Sequence, residues 1–270
     1  MKQRLLPAIA LVIGAGAVAL ALILATSGDD GSDVDTTPTP REGIAPGEAS
    51  VAAPAPTHQH PVPTLPNRPR SGPHFAILAV RRGARVPLLA SPHGRLIRAL
   101  GPKTEFGSPR VLGVAAQRGS WIGVVTPLRP DGVLGWVRFD SGKLFRYWTR
   151  YSLKVLLRER ALELRYGTRL LGRYTVTVGA AGSGTPSGRF AITDALDFGN
   201  SPFYGCCALA LSGRQEHLPV GWLGGDRIAI HGTPGPVGEA ASHGCIRATD
   251  ATMHTLFRRI PLGTPVFVAG

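Results

Sequence analysis

The sequence predicts a mainly β protein of two domains carried behind an apolar leader and a proline-rich stretch, and three observations predict it. Short apolar runs at close, regular spacing begin at Phe75 and continue almost to the last residue. Composition changes abruptly near residue 73, where proline-rich sequence gives way to those runs. Only one segment, near the C-terminus, has apolar residues at helical spacing. Runs of this length, bounded by Gly, Pro and single charges, read as strands of barrels or sandwiches.

Residues 1–27 read as a signal anchor or a signal peptide. Leu5 to Gly28 contain no charged side chain, and Lys2 and Arg4 precede them. In helical form those 24 positions reach roughly 36 Å, enough to cross a hydrocarbon core of about 30 Å. The run exceeds the usual h-region of a cleaved signal, so an uncleaved anchor is the favoured reading, although Ala25 and Ser27 offer small residues for cleavage. Lys2 and Arg4 before the span, and Asp29, Asp30, Asp33 and Asp35 after it, place the bulk of the chain outside. Residues 28–73 hold 10 of the 24 prolines and few large apolar side chains, which reads as a disordered, semi-extended linker.

Residues 74–147 read as a small all-β domain. Its runs are Phe75–Val80, Val86–Leu89, Val111–Ala115, Trp121–Val125 and Val133–Val137, with Trp121 and Trp136 as core candidates. The hairpin from Arg118 to Arg138 resembles bacterial Src-homology-three-like barrels. From residue 150 to 270 the β pattern continues in Leu153–Leu157, Ala161–Leu164, Tyr174–Val178, a strand opening at Phe190 and a last one at Pro265–Val268. Gly167 and Thr168 mark a turn, and Gly184-Thr-Pro-Ser-Gly a loop. The helix is capped by Thr249 or Asp250, carries Met253, Leu256, Phe257 and Ile260 on one face, and is stopped by Pro261.

The formal charge of +13 comes from 26 Arg and 4 Lys against 17 acids. It is scattered, without lysine-rich runs beside aromatics, and for an exported chain nucleic acid is excluded as a partner. Residues 74–149 alone carry +9, which suits contact with an anionic wall polymer or a solvated face. Three cysteines exclude a disulfide framework as the organising principle. Cys206 and Cys207 are adjacent, could pair with each other only as a strained vicinal disulfide or one of them with a partner chain, and read as packing residues.

The chemistry concentrates between Ile228 and Arg247. His231 ends a short apolar strand, a Gly/Pro loop follows, and Ser242-His243-Gly244-Cys245 forms a turn just before the helix. A thiol acting near neutral pH needs a depressed pKa or an adjacent base, and an imidazole suits that task. Cys245 has His231 and His243 as candidate bases, while the amides of Gly244 and Cys245, close to the helix start, can serve an oxyanion. Two His and one Cys also raise zinc, but a fourth ligand of familiar spacing is missing, with His217, Glu239 or Cys207 as distant substitutes; no metal or cofactor is expected.

A strand ending in His231-Gly232, a glycine-rich loop, then Ser242-His243-Gly244-Cys245-Ile246-Arg247 resembles the active-site signature of the L,D-transpeptidase (YkuD-type) catalytic family. Gly184-Thr-Pro-Ser-Gly-Arg-Phe190 and Ala208-Leu-Ala-Leu-Ser-Gly213 resemble its strand motifs. The resemblance covers roughly residues 150–269 and implies a β-sandwich with one or two short helices. It also implies acyl transfer in the bacterial cell envelope. Cys245 would attack a peptidoglycan tetrapeptide stem at its third residue, release D-Ala, and pass the acyl group from a thioester to an acceptor amine, giving a 3→3 cross-link. His231 would be the base, oriented by the carbonyl of Gly232; His243, Gly244 and Cys245 would line the oxyanion side. Arg247, Ser242 and Tyr204 are candidates for binding the stem. Two features depart from many relatives: the interval from His231 to Ser242 is short, and Arg247 stands where some carry Asn. A cysteine hydrolase or carboxypeptidase using the same thioester, and a non-catalytic wall-binding protein, are the alternatives.

Overall fold

A computed structural model describes residues 72–222 and 225–270. The leader expected at 1–27, the membrane span expected at 5–28 and almost all of the linker expected at 28–73 lie outside these residues. Among the described residues no helix is long and apolar enough to cross a membrane.

The first sheet is formed by β1 (Phe75–Val80), β2 (Val86–Leu89), β3 (Leu96–Leu100), β4 (Val111–Arg118), β5 (Trp121–Val125), β6 (Gly135–Arg138) and β7 (Leu144–Thr149). Its order is β3-β2-β6-β5-β4-β1-β7, all neighbours antiparallel. β3 and β7 stand at the two ends with no pairing between them. The all-β unit is therefore present, but no ladder closes it into the expected barrel. These two strands also escaped the sequence pattern. Leu-Ile-Arg-Ala-Leu and Leu-Phe-Arg-Tyr-Trp-Thr are mostly exposed or half-buried, with a single charge breaking each apolar run. Trp136 is buried, whereas Trp121 is only half-buried.

The remaining elements are β8 (Tyr151–Leu156), β9 (Ala161–Tyr166), β10 (Arg169–Thr175), β11 (Val178–Gly179), β12 (Gly188–Ser201), β13 (Gly205–Arg214), β14 (Arg227–Thr233), β15 (Ala240–Ser242), β16 (Ile246–Thr249), α1 (Asp250–Arg259) and β17 (Pro265–Ala269). An eight-stranded sheet runs β10-β9-β8-β17-β12-β13-β14-β16, and β11 pairs separately with β15. β12 pairs with β17 over Gly188–Ala191 and with β13 from Ile192 onward, so one long strand serves both halves. Their buried residues meet in a single core, Leu153 and Leu162 from one half with Leu209 and Ile230 from the other. This is how a mainly β chain builds a sandwich from one continuous ladder.

β1 shows why the first sheet is welded to the second. Its side chains alternate in direction. Leu78 and Val80 enter the first sheet's core with Leu88, Ile122 and Val137, whereas Ile77 and Ala79 join Val111 in the core of the second. A strand buried on both faces reads as a continuous apolar run, as Phe-Ala-Ile-Leu-Ala-Val does.

α1 follows its sequence cues. Thr249 is the N-cap and accepts from the Thr252 amide, Asp250 lies in the first turn, Arg258 and Arg259 in the last, and Ile260 caps the C-terminus. Met253 and Leu256 are fully buried against the second sheet. The Ser242–Cys245 turn does not run straight into this helix as the sequence suggested. β16 intervenes between Cys245 and Asp250, so the helix N-terminus is not what backs the Cys245 amide.

Because Ile77 is 1% exposed in the second core, Ile77→Ala should lower stability by about 3 kcal/mol. Urea unfolding followed by Trp fluorescence and by far-ultraviolet dichroism should show one coincident transition moving to lower urea.

Candidate active site

The parallel pairing of β14 with β16 sets the geometry. Ile230 pairs with Ile246 and His231 with Arg247. Ile228, Ile230, Ile246 and Ala248 all point into the core. Alternation therefore puts His231 and Arg247 on the opposite face, while Cys245 immediately precedes β16 and turns its sulfur toward the Arg227 carbonyl at the start of β14. The candidate base thus lies on β14, and the candidate nucleophile on the turn that leads into the neighbouring β16.

His231 is 3% exposed, and its Nδ1 lies 2.7 Å from the Gly232 carbonyl. A carbonyl only accepts, so Nδ1 carries the proton and Nε2 is left as the acceptor. Burial, aided by the nearby Arg247 charge and opposed by the Gly232 hydrogen bond, pushes the pKa down to about 4. The ring is accordingly neutral near pH 7, the form in which it can take a proton. Gly232 must be glycine, since a Cβ there would overlap the Asp250 carboxylate, whose Oδ1 accepts from the Cys206 amide at 3.1 Å.

The turn carrying Cys245 is held from several sides. The Ser242 hydroxyl donates to the Cys245 carbonyl at 2.6 Å and accepts from the Gly244 amide at 3.2 Å. Ser242 is fully buried, so the substrate contact expected from the sequence gives way to a positioning role. Gly244 has φ +109, and a Cβ there would overlap the Gln215 amide. The Cys245 thiol, half-buried, donates to the Arg227 carbonyl at 3.9 Å. The His243 ring meets Trp222 edge-on at 4.8 Å between centroids. Tyr204 is 39% exposed, stacks on Phe198 and sets its ring edge against His231 at 5.2 Å, which places it at the mouth of this surface.

A family profile described as the L,D-transpeptidase catalytic domain (YkuD) matches residues 150–268. The YkuD proteins of Bacillus licheniformis and Bacillus subtilis, both named as candidate L,D-transpeptidases, are 33% identical over 120 residues and 31% identical over 124. These matches cover 44% and 45% of this chain, and 65% and 68% of the respective relatives. The chain belongs to the L,D-transpeptidase catalytic-domain family. Among solved structures, an L,D-transpeptidase from Mycobacterium smegmatis is similar with a TM-score of 0.40 and 14% identity, over 72% of this chain and 99% of that one. An Enterococcus faecium L,D-transpeptidase is similar with a TM-score of 0.35 and 18% identity, over 44% of this chain and 50% of that one.

Four residues that organise this L,D-transpeptidase domain were not singled out from the sequence. Gln215 donates from Nε2 to the carbonyls of Ser183 and Gly184 at 3.0 and 2.9 Å and approaches that of His243 at 3.4 Å. Thr185 donates to the Gly244 carbonyl at 2.9 Å, and the Thr177 hydroxyl accepts from the Gly238 and Glu239 amides. Arg227 is gripped by Glu105 from the connection between β3 and β4 while its own carbonyl receives the thiol. Each is a polar residue at a strand end or in a loop, with no periodic signal to mark it; the Gly184-Thr185 motif was the nearest cue.

The pH dependence of stability follows from His231. Its folded-state pKa of about 4 lies below the ordinary value of 6.5, so the unfolded chain takes up the proton first as pH falls. Stability from this group is intact above about pH 6.5 and is lost between about 6.5 and 4, up to about 3 kcal/mol. Denaturant titrations across this window should show the wild type losing that much more than His231→Gln. Equal losses in the two proteins would contradict a neutral, buried ring.

Proposed function

We propose that the protein is an extracytoplasmic peptidoglycan L,D-transpeptidase that forms 3→3 cross-links through a Cys245 thioester. The observation that supports this reading is the β14/β16 register, which pairs the Nδ1-anchored His231 with Arg247, two residues after Cys245. Membership of the L,D-transpeptidase family supports the reaction class.

In the proposed cycle Nε2 of His231 takes the Cys245 proton as sulfur attacks the carbonyl carbon of the stem's third residue. The S–C bond forms, the oxyanion collapses, and the C–N bond to the terminal D-Ala breaks as its nitrogen receives the proton from His231. An amine of a second stem then attacks the thioester, loses a proton to His231, and expels the thiolate. Splitting the exchange into two covalent steps conserves the energy of the original peptide bond, so no nucleotide is consumed. The Gly244 and Cys245 amides and His243 line the oxyanion side. Arg247, paired with His231 across the ladder, suits a stem carboxylate, and Tyr204 suits the groove wall. Residues 5–28 would anchor the chain in the plasma membrane, with residues 28–73 as the stalk and the basic first sheet facing the wall.

Incubating the purified protein with disaccharide tetrapeptide, followed by mass spectrometry, tests this. The expected products are free D-Ala and cross-linked dimers, with a transient adduct on Cys245 and at least about a thousandfold loss of product in Cys245→Ala. Trimmed monomers without dimers would make it a hydrolase; absence of any acyl or carbapenem adduct on Cys245 would remove both readings.

A further inference from the structure

We infer that Cys206, Cys207 and His254 form a binding site for a thiophilic divalent cation of the zinc class, built from none of the residues of the Cys245 turn. The inference does not rest on the proposed cross-linking activity. Adjacent residues in a regular strand point to opposite faces. At the start of β13, after the register irregularity between Asp197 and Ser201, the two sulfurs instead come together with a ring nitrogen of His254 from α1. These three ligand atoms all lie within 4.8 Å of one another. Around a tetrahedral zinc with metal–sulfur bonds of about 2.3 Å, two sulfurs sit about 3.8 Å apart, so closing on the ion requires shifts of about an ångström or less.

The chemistry of the donors selects the guest. Two thiolates and an imidazole are soft to borderline ligands that suit zinc and disfavour magnesium or calcium, which seek oxygen. The sulfurs have an apolar floor, with Cys206 at 5% and Cys207 at 2% exposure, whereas His254 is exposed and gives the ion a path from solvent. Burial pushes both thiols up from their ordinary pKa, Cys207 the further. A cation is what would make two neighbouring thiolates tolerable there. In its absence Cys206 Sγ donates to the Asp250 carbonyl at 3.9 Å. Binding would replace that proton and the one on Cys207, releasing both to solvent, and leave a fourth position for water. Because Asp250 and His254 lie on successive turns of α1, the bound ion would staple the helix to β13 beside Tyr204, whose ring abuts His231.

The test uses the full chain, reduced and metal-free, in a Cys245→Ala background so that the other thiol contributes nothing. Titration with cobalt(II) alone should saturate at one equivalent, with a thiolate-to-cobalt charge-transfer band and the intense visible bands of tetrahedral cobalt. Zinc should abolish both spectra by displacement and raise the melting temperature. Affinity should weaken as pH falls, since two protons are released on binding. Cys206→Ser and Cys207→Ser should each lower the charge-transfer intensity by about half or more, and His254→Ala should weaken binding by at least about tenfold. His254 is exposed, so its variant decides the matter even where a cysteine variant fails to fold. No charge-transfer band in the Cys245→Ala protein at saturating cobalt, or an unchanged affinity in His254→Ala, overturns the proposal.

Discussion

The position of the candidate nucleophile depends first on one buried amide. Cys245 lies between β15 and β16, where no ladder fixes the backbone. The conformation there is imposed by Gln215, whose Nε2 ties the Ser183 and Gly184 carbonyls to the turn, helped by the Ser242 and Thr185 hydroxyls. Gln215 is 5% exposed, so its hydrogen bonds form where water cannot replace them, and each carbonyl left without its donor would cost about 1–3 kcal/mol. The same amide explains Gly244: the space a side chain would need is taken by the group that holds the turn.

That knot is braced by the first sheet. Residues 74–149 are strongly basic and contain three acids, Glu105, Asp131 and Asp140. Two of these reach the second sheet: Glu105 pairs with Arg227, and Asp131 accepts from the Arg214 amide, immediately before Gln215. Arg214 is further held by Asp226 and by the Pro127 carbonyl, and Thr104 donates to the buried Asp194. The acids are thus placed at the strand ends that flank the turn, while the excess of cations faces outward. Together with the double-sided burial of β1, these contacts make the first sheet part of the scaffold that aims Cys245.

What was legible in the sequence was local. Thr249 and Pro261 bound the helix because caps and breakers act within a turn or two, and His231-Gly232 with Ser242–Cys245 stood out because their residue types recur in fixed order. What was not legible depends on partners remote in the chain. Ser242 was a candidate for binding the stem under the family resemblance; only the fold shows its hydroxyl spent inside the turn. Gln215 ends a strand and differs from any exposed glutamine only through loops that fold back from residues 183–184 and 243. β3 and β7 were hidden because strands whose side chains are mostly exposed or half-buried, with a charge in the middle, lose the apolar run that marks a buried one. Cys206 and Cys207 read as packing because adjacent cysteines pair with each other only under strain, and the irregularity that brings their sulfurs near His254 carries no local signature.

The electrostatics around His231 favour one sign of charge. Burial and Arg247 both oppose a cation on the ring, so a standing imidazolium is disfavoured at rest. The same Arg247 charge favours any negative charge that develops on this face, and burial strengthens the attraction. In the proposed reaction, negative charge appears on sulfur and then on the substrate oxygen as His231 takes the proton, so the cost of protonating the ring is offset only while an anion lies beside it. In that reaction, charge separation is therefore tied to the presence of a bound acyl donor.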